Sequence, residues 1–336
     1  MPRAALAALL TLAAVGPSPA TQPDVDSGSP LIRFVATLDA ASPPFAAQRL
    51  GDLRAAENAL ERNPGPTADC AQSLGATRHG ALQAAVAFAR QGVGDRSGAI
   101  AAWQRALDCE PRNARYRVAL AGVLLTFGRL AEARAQADRA LRLAPRQSGL
   151  DELQARLDFV AGRWPDAARR AQQIAAKLRR ETATTEAGGT NSDTAGADDR
   201  HGAADVDPGP GPGNGSEAAA FWQLLALLAQ RRGGLPPQDL PGPDTALEDR
   251  WPVPLWRLLV GETDERGLVA AIEAQDEALH RREMACEALY YTAQQAFASG
   301  RPETGRRRLA RLVNLKILYY VEHDMALAEL STLRTP

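Results

Sequence analysis

The amino-acid sequence predicts an all-α protein, built as a solenoid of helical hairpins that a disordered linker interrupts. Alanine, leucine and arginine recur through the 336 residues, while aromatic residues make up only 5%. This composition favours helices over strands. The second observation is an internal repeat of 34 residues, which runs over residues 80–180. Repeats of this length are typical of paired helices that stack on one another.

Five sets of residues keep the 34-residue interval. The sets are Gly94, Gly128 and Gly162; Ala99, Ala133 and Ala167; Ala87, Ala121 and Ala155; Ala106 and Ala140; and Pro111 and Pro145. A glycine supplies the left-handed turn that ends a first helix, and a proline cannot continue a second one. The alanines let the two helices of a hairpin approach closely. Because one hairpin cannot bury its own apolar face, the pattern predicts three stacked hairpins.

The composition of the rest of the chain predicts five further segments. They are a signal peptide (1–20), a flexible N-terminal segment (21–44), an N-terminal helix and loop (45–79), a disordered linker (181–217) and a C-terminal helical region (218–336) with a degenerate repeat and a capping helix. The linker is rich in Thr, Gly, Asp and Pro, and such a segment cannot bury enough apolar surface to offset its ordering entropy.

The first twenty residues have the layout of a secretory signal peptide. Arg3 precedes a charge-free stretch from Ala4 to Gly16, and Ser18 and Ala20 place small residues at a cleavage site. The alternative, an amphipathic helix of the mature fold, needs a polar face that this stretch lacks. Both this run and the later one at 312–321 are too short to span a membrane. We therefore expect a periplasmic or secreted protein that is soluble after cleavage.

The three cysteines leave two alternatives open. In an oxidising compartment Cys70 and Cys109 can pair, since they flank the first predicted hairpin, and Cys286 is then left over. The other alternative is three buried thiols that act as small hydrophobic residues.

No motif in the sequence indicates catalysis, a cofactor or a metal. The histidines belong to no metal-ligand or nucleophile pattern; they are His79, His201, His280 and His323. The glycine-rich stretches lie in the linker, without the strand-to-helix context of a phosphate-binding loop. A formal net charge of −1 gives no indication of nucleic-acid binding. We therefore predict a protein that is not an enzyme.

The spacing Gly-x4-Ala-x6-Ala-x4-Pro resembles the tetratricopeptide repeat over 80–180, and the copy at 114–147 is the cleanest. Arg90, Leu124 and Asp158 stand where that family usually has an aromatic residue, and Arg179 replaces the closing proline of the third copy. The resemblance implies a groove, lined by the first helix of each hairpin, that binds protein or peptide partners. The residues at the groove positions are Phe88, Gln91, Arg115, Val118, Leu125, Glu152, Arg156 and Phe159. The alternative is that the apolar ones only fill space between helices.

The C-terminal half resembles the NlpI-like tetratricopeptide proteins of bacterial envelopes. The motifs that carry this resemblance are Trp251-Pro-x-Pro, Cys286-Glu-Ala-Leu-Tyr-Tyr and Val321-Glu-His-x-x-Ala-x-x-Glu-Leu. It implies a non-catalytic adaptor that dimerises and brings an envelope protease to peptidoglycan hydrolases. The sequence departs from the family in lacking a lipid-attachment cysteine and in carrying the long linker.

Two further expectations concern this half. Glu322 and Glu329 share a face of the last helix, where we expect them to bond to a helix end or to the run Arg306–Arg308. The run itself is predicted to be a solvated helix face, with an acidic partner patch as the alternative. A second functional hypothesis is self-association as a homodimer through exposed aromatic residues. These are Trp251, Trp256, Tyr319 and Tyr320. An unrecognised hydrolase is the third alternative.

Overall fold

A computed structural model describes residues 26, 28–38, 46–65, 70–73, 75–187, 215–236 and 240–333. Within these ranges the protein is all-α, with fourteen helices and no strand, as the sequence predicted. The helices are α1 (Pro30–Leu38), α2 (Ala46–Glu61), α3 (Ala76–Gly92), α4 (Arg96–Cys109), α5 (Ala114–Thr126), α6 (Leu130–Leu143), α7 (Leu150–Val160), α8 (Trp164–Ala187), α9 (Gly215–Arg232), α10 (Val253–Val260), α11 (Glu265–Glu273), α12 (Ala278–Ala298), α13 (Pro302–Asn314) and α14 (Val321–Thr332).

The three predicted hairpins are present as α3–α4, α5–α6 and α7–α8, and each packs on the next. Gly94, Gly128 and Gly162 end the first helices with φ of +80°, +66° and +71°, a conformation that glycine adopts without steric cost. The repeated alanines are fully buried where the helices cross; they are Ala87, Ala99, Ala106, Ala121, Ala133, Ala140, Ala155 and Ala167. The 34-residue register therefore specifies both the turns and the helix crossings.

One repeat position lacks the aromatic residue that the tetratricopeptide family usually has there, and its side chain makes different contacts in each hairpin. Arg90 pairs with Glu57 of α2 at 2.9 Å, which ties the N-terminal helix to the first hairpin. Leu124 is buried in the apolar core. Asp158 is only 2% exposed, and its carboxylate lies within 2.6–2.9 Å of three arginines: Arg134, Arg163 and Arg170. In the first and third hairpins, charge pairing replaces aromatic packing between elements.

The C-terminal half continues the solenoid instead of forming a separate body. α8 and α9 pack along each other, α9 also contacts α12, and α12 and α13 form a fourth hairpin with Gly300 in its turn at φ +70°. One apolar cluster joins the two halves, since it contains Phe159 and Ala167 as well as Leu224 and Leu289. The two helical regions on either side of the predicted linker are therefore docked.

The prediction of a flexible segment at 21–44 is wrong for α1. Leu31 and Val35 of this helix are fully buried in the main apolar cluster. Just before it, Asp26 is 5% exposed and bonds to Arg308 of α13. The local composition is polar, but these contacts span almost the whole chain, so no local pattern reveals them.

The predicted linker is shorter than 181–217, because α8 runs on to Ala187 and α9 starts at Gly215. The rest of it, residues 188–214, lies outside the described residues, and so does the predicted signal peptide at 1–20.

The arginine run is not a uniformly solvated face. Arg308 is 6% exposed, and its guanidinium lies 2.7 Å from both Asp26 and Glu265. Arg306, by contrast, pairs with Glu303 on the surface of the same helix. One helical turn of α13 therefore carries one structural arginine next to one surface arginine.

Cys70 and Cys109 are joined by a disulfide, which ties the short turn before α3 to the end of α4. Cys286 is a free, fully buried thiol. Burial raises the pKa of Cys286 well above its ordinary value, so this thiol stays protonated and packs as an apolar group.

Candidate partner-binding groove

We call the side of the solenoid that carries the first helices of the hairpins, α3, α5 and α7, the inner face; α5 and α7 contact each other there. α14 packs against α5 and α7. Its Ala328 is fully buried in the apolar cluster that contains Leu124, Leu125 and Leu157. The predicted groove is therefore partly occupied by a helix of the same chain.

The C-terminal end of α14 abuts the turn of the second hairpin. A Cβ atom added at Gly128 would lie 2.2 Å from the Ser331 Oγ atom and 3.2 Å from its Cβ atom. This approach requires glycine for space as well as for its positive φ. The same residue that ends α5 therefore also admits α14.

The first turn of α14 carries acidic residues that face arginines. The Asp324 carboxylate lies 3.2 Å from the Arg96 guanidinium, which also lies 3.3 Å from the buried His323 Nδ1 atom. Arg156 of α7 interacts electrostatically with Glu152, Asp324 and Glu322. The Arg156 Nε atom is buried and, within the described ranges, has no hydrogen-bond partner.

Glu329 anchors the second half of α14. Its carboxylate is 2.6 Å from Arg232 of α9 and accepts hydrogen bonds from the Tyr290 hydroxyl at 3.0 Å and the Gln294 amide at 2.6 Å. Arg232 in turn stacks on the rings of three aromatic residues, Phe159, Trp164 and Phe297, at 4.5–5.9 Å. Both oxygens of the Glu329 carboxylate are thus paired, as expected for a residue that is only 3% exposed.

A second buried carboxylate of α14, Glu322, lies near Glu287 of α12. Burial raises the pKa of Glu322 to about 7, against the lowering effect of Arg156 and of a hydrogen bond with Tyr291. Burial and the neighbouring Glu322 raise the pKa of Glu287 well above its ordinary value, and the Trp251 indole N–H donates to this carboxyl. Two desolvated acids, Glu322 in the first turn of α14 and Glu287 of α12, therefore lie close together.

This arrangement predicts a stability that falls as pH rises. Because the folded-state pKa of Glu322 is raised, its contribution to the free energy of unfolding is fully present below about pH 4.5, the ordinary pKa of this side chain. That contribution is lost as the pH rises through about 7, the pKa in the folded protein. Between about pH 5.5 and about pH 8.5 we expect the wild-type melting temperature to fall by roughly 5 °C more than that of Glu322→Gln. Thermal unfolding followed by circular dichroism measures this difference. Parallel pH profiles for the two chains would contradict it.

The structure separates the eight predicted groove residues by their exposure. Leu125 and Phe159 are 1% and 0% exposed, so they fill the core, and for these two positions the assignment to the groove lining is wrong. Phe88 is 43% exposed. The other five are half-buried; they are Gln91, Arg115, Val118, Glu152 and Arg156. Gln91 accepts a hydrogen bond from the Trp103 indole within the first hairpin, and Arg156 interacts electrostatically with acidic residues of α14.

Gly122 of α5 adds a feature that the sequence reading missed. It occupies the same repeat position as Phe88 and Arg156, 34 residues from each, and a Cβ atom added to it meets no other atom within 4 Å. Glycine inside a helix costs about 1 kcal/mol relative to alanine, and here neither packing nor positive φ requires it. The result is open space on α5, which we call the notch, at the repeat position that the exposed Phe88 occupies in α3.

Sequence reasoning also missed the arginines that hold α14. Arg96 and Arg232 lie 228 and 97 residues from their carboxylate partners. The prediction for Glu329 was a bond to a helix end or to the run at 306–308, and its arginine partner is Arg232 of α9 instead. Nothing in the local sequence distinguishes these arginines from the many others, since only the docking of α14 brings the charges together.

The four aromatic residues proposed for self-association are not exposed. Each is half-buried and packs against the main apolar cluster; they are Trp251, Trp256, Tyr319 and Tyr320. Trp251 and Tyr319 also donate hydrogen bonds to Glu287 and Glu283, and Arg49 stacks on Tyr319. Their burial accounts for their presence without a second copy.

These features define an all-α helical-repeat protein whose inner face is partly filled by its own last described helix. No family model matches the chain, and none of the curated proteins matches it significantly. Among the described residues, no helix is long and apolar enough to cross a membrane.

Proposed function

We propose that this protein is an exported, non-catalytic adaptor that binds proteins or peptides through the inner face of its helical repeats. The observation that carries the proposal is that the same repeat position holds an exposed Phe88 in α3 and the notch at Gly122 in α5. An exposed aromatic side chain is a common anchor point of an interface, and the notch leaves room for a side chain of the partner. The half-buried Arg115 and Glu152 on the same face supply polar groups for orientation.

Export is supported by the disulfide between Cys70 and Cys109, because disulfides persist in oxidising compartments such as the periplasm. A role in bacterial envelope maintenance, with proteases or peptidoglycan hydrolases as partners, rests on the resemblance of the C-terminal motifs. Homodimerisation is the weaker alternative, since the aromatic residues that motivated it are half-buried and pack against the main apolar cluster.

Filling the notch tests the proposal. Gly122→Leu is expected to reduce retention of envelope proteins by about tenfold, equivalent to about 1.4 kcal/mol, because the new side chain occupies the space that a partner would use. The same substitution should raise the free energy of unfolding by about 0.5–1 kcal/mol, since leucine favours helix over glycine. Quantitative affinity capture from an envelope extract and urea unfolding measure the two effects.

The matched control is Gly51→Leu. Gly51 is also inside a helix, α2, and a Cβ atom added there likewise meets no other atom within 4 Å. This variant should gain similar stability and keep full retention. Equal retention by both variants would show that the inner face at Gly122 does not bind partners.

A further inference from the structure

α14 occupies the inner face in the way that an amphipathic helix occupies a groove. Ala326 and Ala328 are fully buried and let the helix approach closely, and each belongs to a different apolar cluster of the solenoid. The helix therefore bridges the repeats and the C-terminal half. Its apolar contacts come from these alanines, from the buried Met325 and from Leu330, and its charged contacts lie beside them.

The charges on the two sides are complementary. α14 contains no lysine or arginine, and it presents Glu322, Asp324 and Glu329. Asp324 and Glu329 pair with Arg96 of α4 and Arg232 of α9. Arg156 of α7 interacts electrostatically with Glu322 and Asp324, and Glu322 also lies near the buried Glu287. Only the folded solenoid assembles this basic set, so the groove has the properties of a receptor for an acidic helix.

Several features oppose the docking of α14. It is 12 residues long, and helices of about this length are marginal on their own. Residue Lys316, in the connection from α13, has a φ of +56°, which is unfavourable for a residue other than glycine. Glu322 and Glu329 are also desolvated, which offsets part of the gain from their ion pairs.

We propose that this groove binds an acidic amphipathic helix of a partner protein, and that α14 is the chain's own competitor for the site. Such a helix would carry small residues on its inward side and carboxylates at the spacing of Glu322, Asp324 and Glu329. Because the partner helix must displace α14, its apparent affinity is reduced by the fraction of chains in which α14 is docked. This inference rests on the proposed function and deepens it by naming the class of partner segment.

A labelled peptide of residues 319–333 tests the exchange. It should bind the full-length Glu329→Ala chain at least about tenfold more tightly than the wild-type chain, because that substitution weakens the resident helix and leaves Arg232, Tyr290 and Gln294 intact. A peptide that carries the same substitution should not show this tighter binding. Glu303→Ala, on the surface of α13, is the matched chain control and should show no gain. Fluorescence anisotropy measures the binding; if Glu329→Ala does not fold, Asp324→Asn takes its place.

Equal binding of the peptide by the Glu329→Ala and wild-type chains would overturn the proposal. Dimerisation of Glu329→Ala without peptide would overturn it in favour of exchange between copies. The Gly122→Leu capture is a separate readout, so either hypothesis can fail alone.

Discussion

Replacing Arg308 with alanine is expected to lower the free energy of unfolding by about 3–5 kcal/mol. Arg308 is the shared partner of Asp26 and Glu265, and Asp26 is 5% exposed. Without the guanidinium, two carboxylates remain close together, one of them buried, and no counter-charge is left between them. The contact also holds the N-terminal segment against α13, so α1 should lose protection from hydrogen exchange. Urea unfolding near neutral pH measures the main effect.

Arg306→Ala is the matched control, two residues away on the same helix. Its partner Glu303 is 68% exposed at the side chain, and exposed pairs contribute about 0–1 kcal/mol. Adding Asp26→Asn to Arg308→Ala should recover part of the lost stability, because it removes one of the two carboxylates that Arg308 neutralises. If the free energies of unfolding of Arg308→Ala and Arg306→Ala differ by less than about 1 kcal/mol, the ion pairs of Arg308 with Asp26 and Glu265 do not hold the N-terminal segment.

Asp158→Ala is expected to cost a similar amount, about 3–5 kcal/mol. Asp158 lies at the centre of three arginines that come from α6, the α7–α8 turn and α8. Its removal leaves these guanidinium groups facing one another at the joint between the second and third hairpins. Asp158→Asn keeps the shape and some of the hydrogen bonds, so it should fall between the alanine variant and the wild type.

The control for this prediction is Asp166→Ala. Asp166 pairs with Arg169 on the surface of α8, and both side chains are about half exposed, so its loss should cost at most about 0.5 kcal/mol. Denaturant midpoints and slopes for the three variants separate the two cases. Equal stability of Asp158→Ala and Asp166→Ala would mean that the three-arginine cluster does not stabilise the joint.

The helices themselves were predictable because their signals are local. The 34-residue interval predicted the hairpins with their glycine turns, and the composition of residues 218–336 predicted a helical C-terminal region. Turn glycines and helix-ending prolines act through the φ/ψ preferences of one or two residues. Such preferences can be read without knowing what the helix packs against.

The groove was only partly predictable. Repeat position identified Phe88 as an exposed residue of the inner face, but it also assigned Leu125 and Phe159, which are buried. The same rule overlooked Gly122, because a glycine inside a helix gives no indication of whether its surroundings are empty. Whether a repeat position is open depends on what covers it, and here the cover is α14, about 200 residues further along the chain.

The sequence by itself determined that this protein is a helical repeat, where most of its helices run, and which glycines and alanines form the turns and crossings. Only the tertiary structure decided which charges are structural and which part of the inner face is open. Asp26, Asp158 and Glu329 read as ordinary surface acids, since their partners lie from 5 to 282 residues away. Helix formation depends on neighbouring residues in the sequence, whereas the contribution of a charged side chain to stability depends on its burial and its partners. Both the burial and the partners exist only in the folded solenoid.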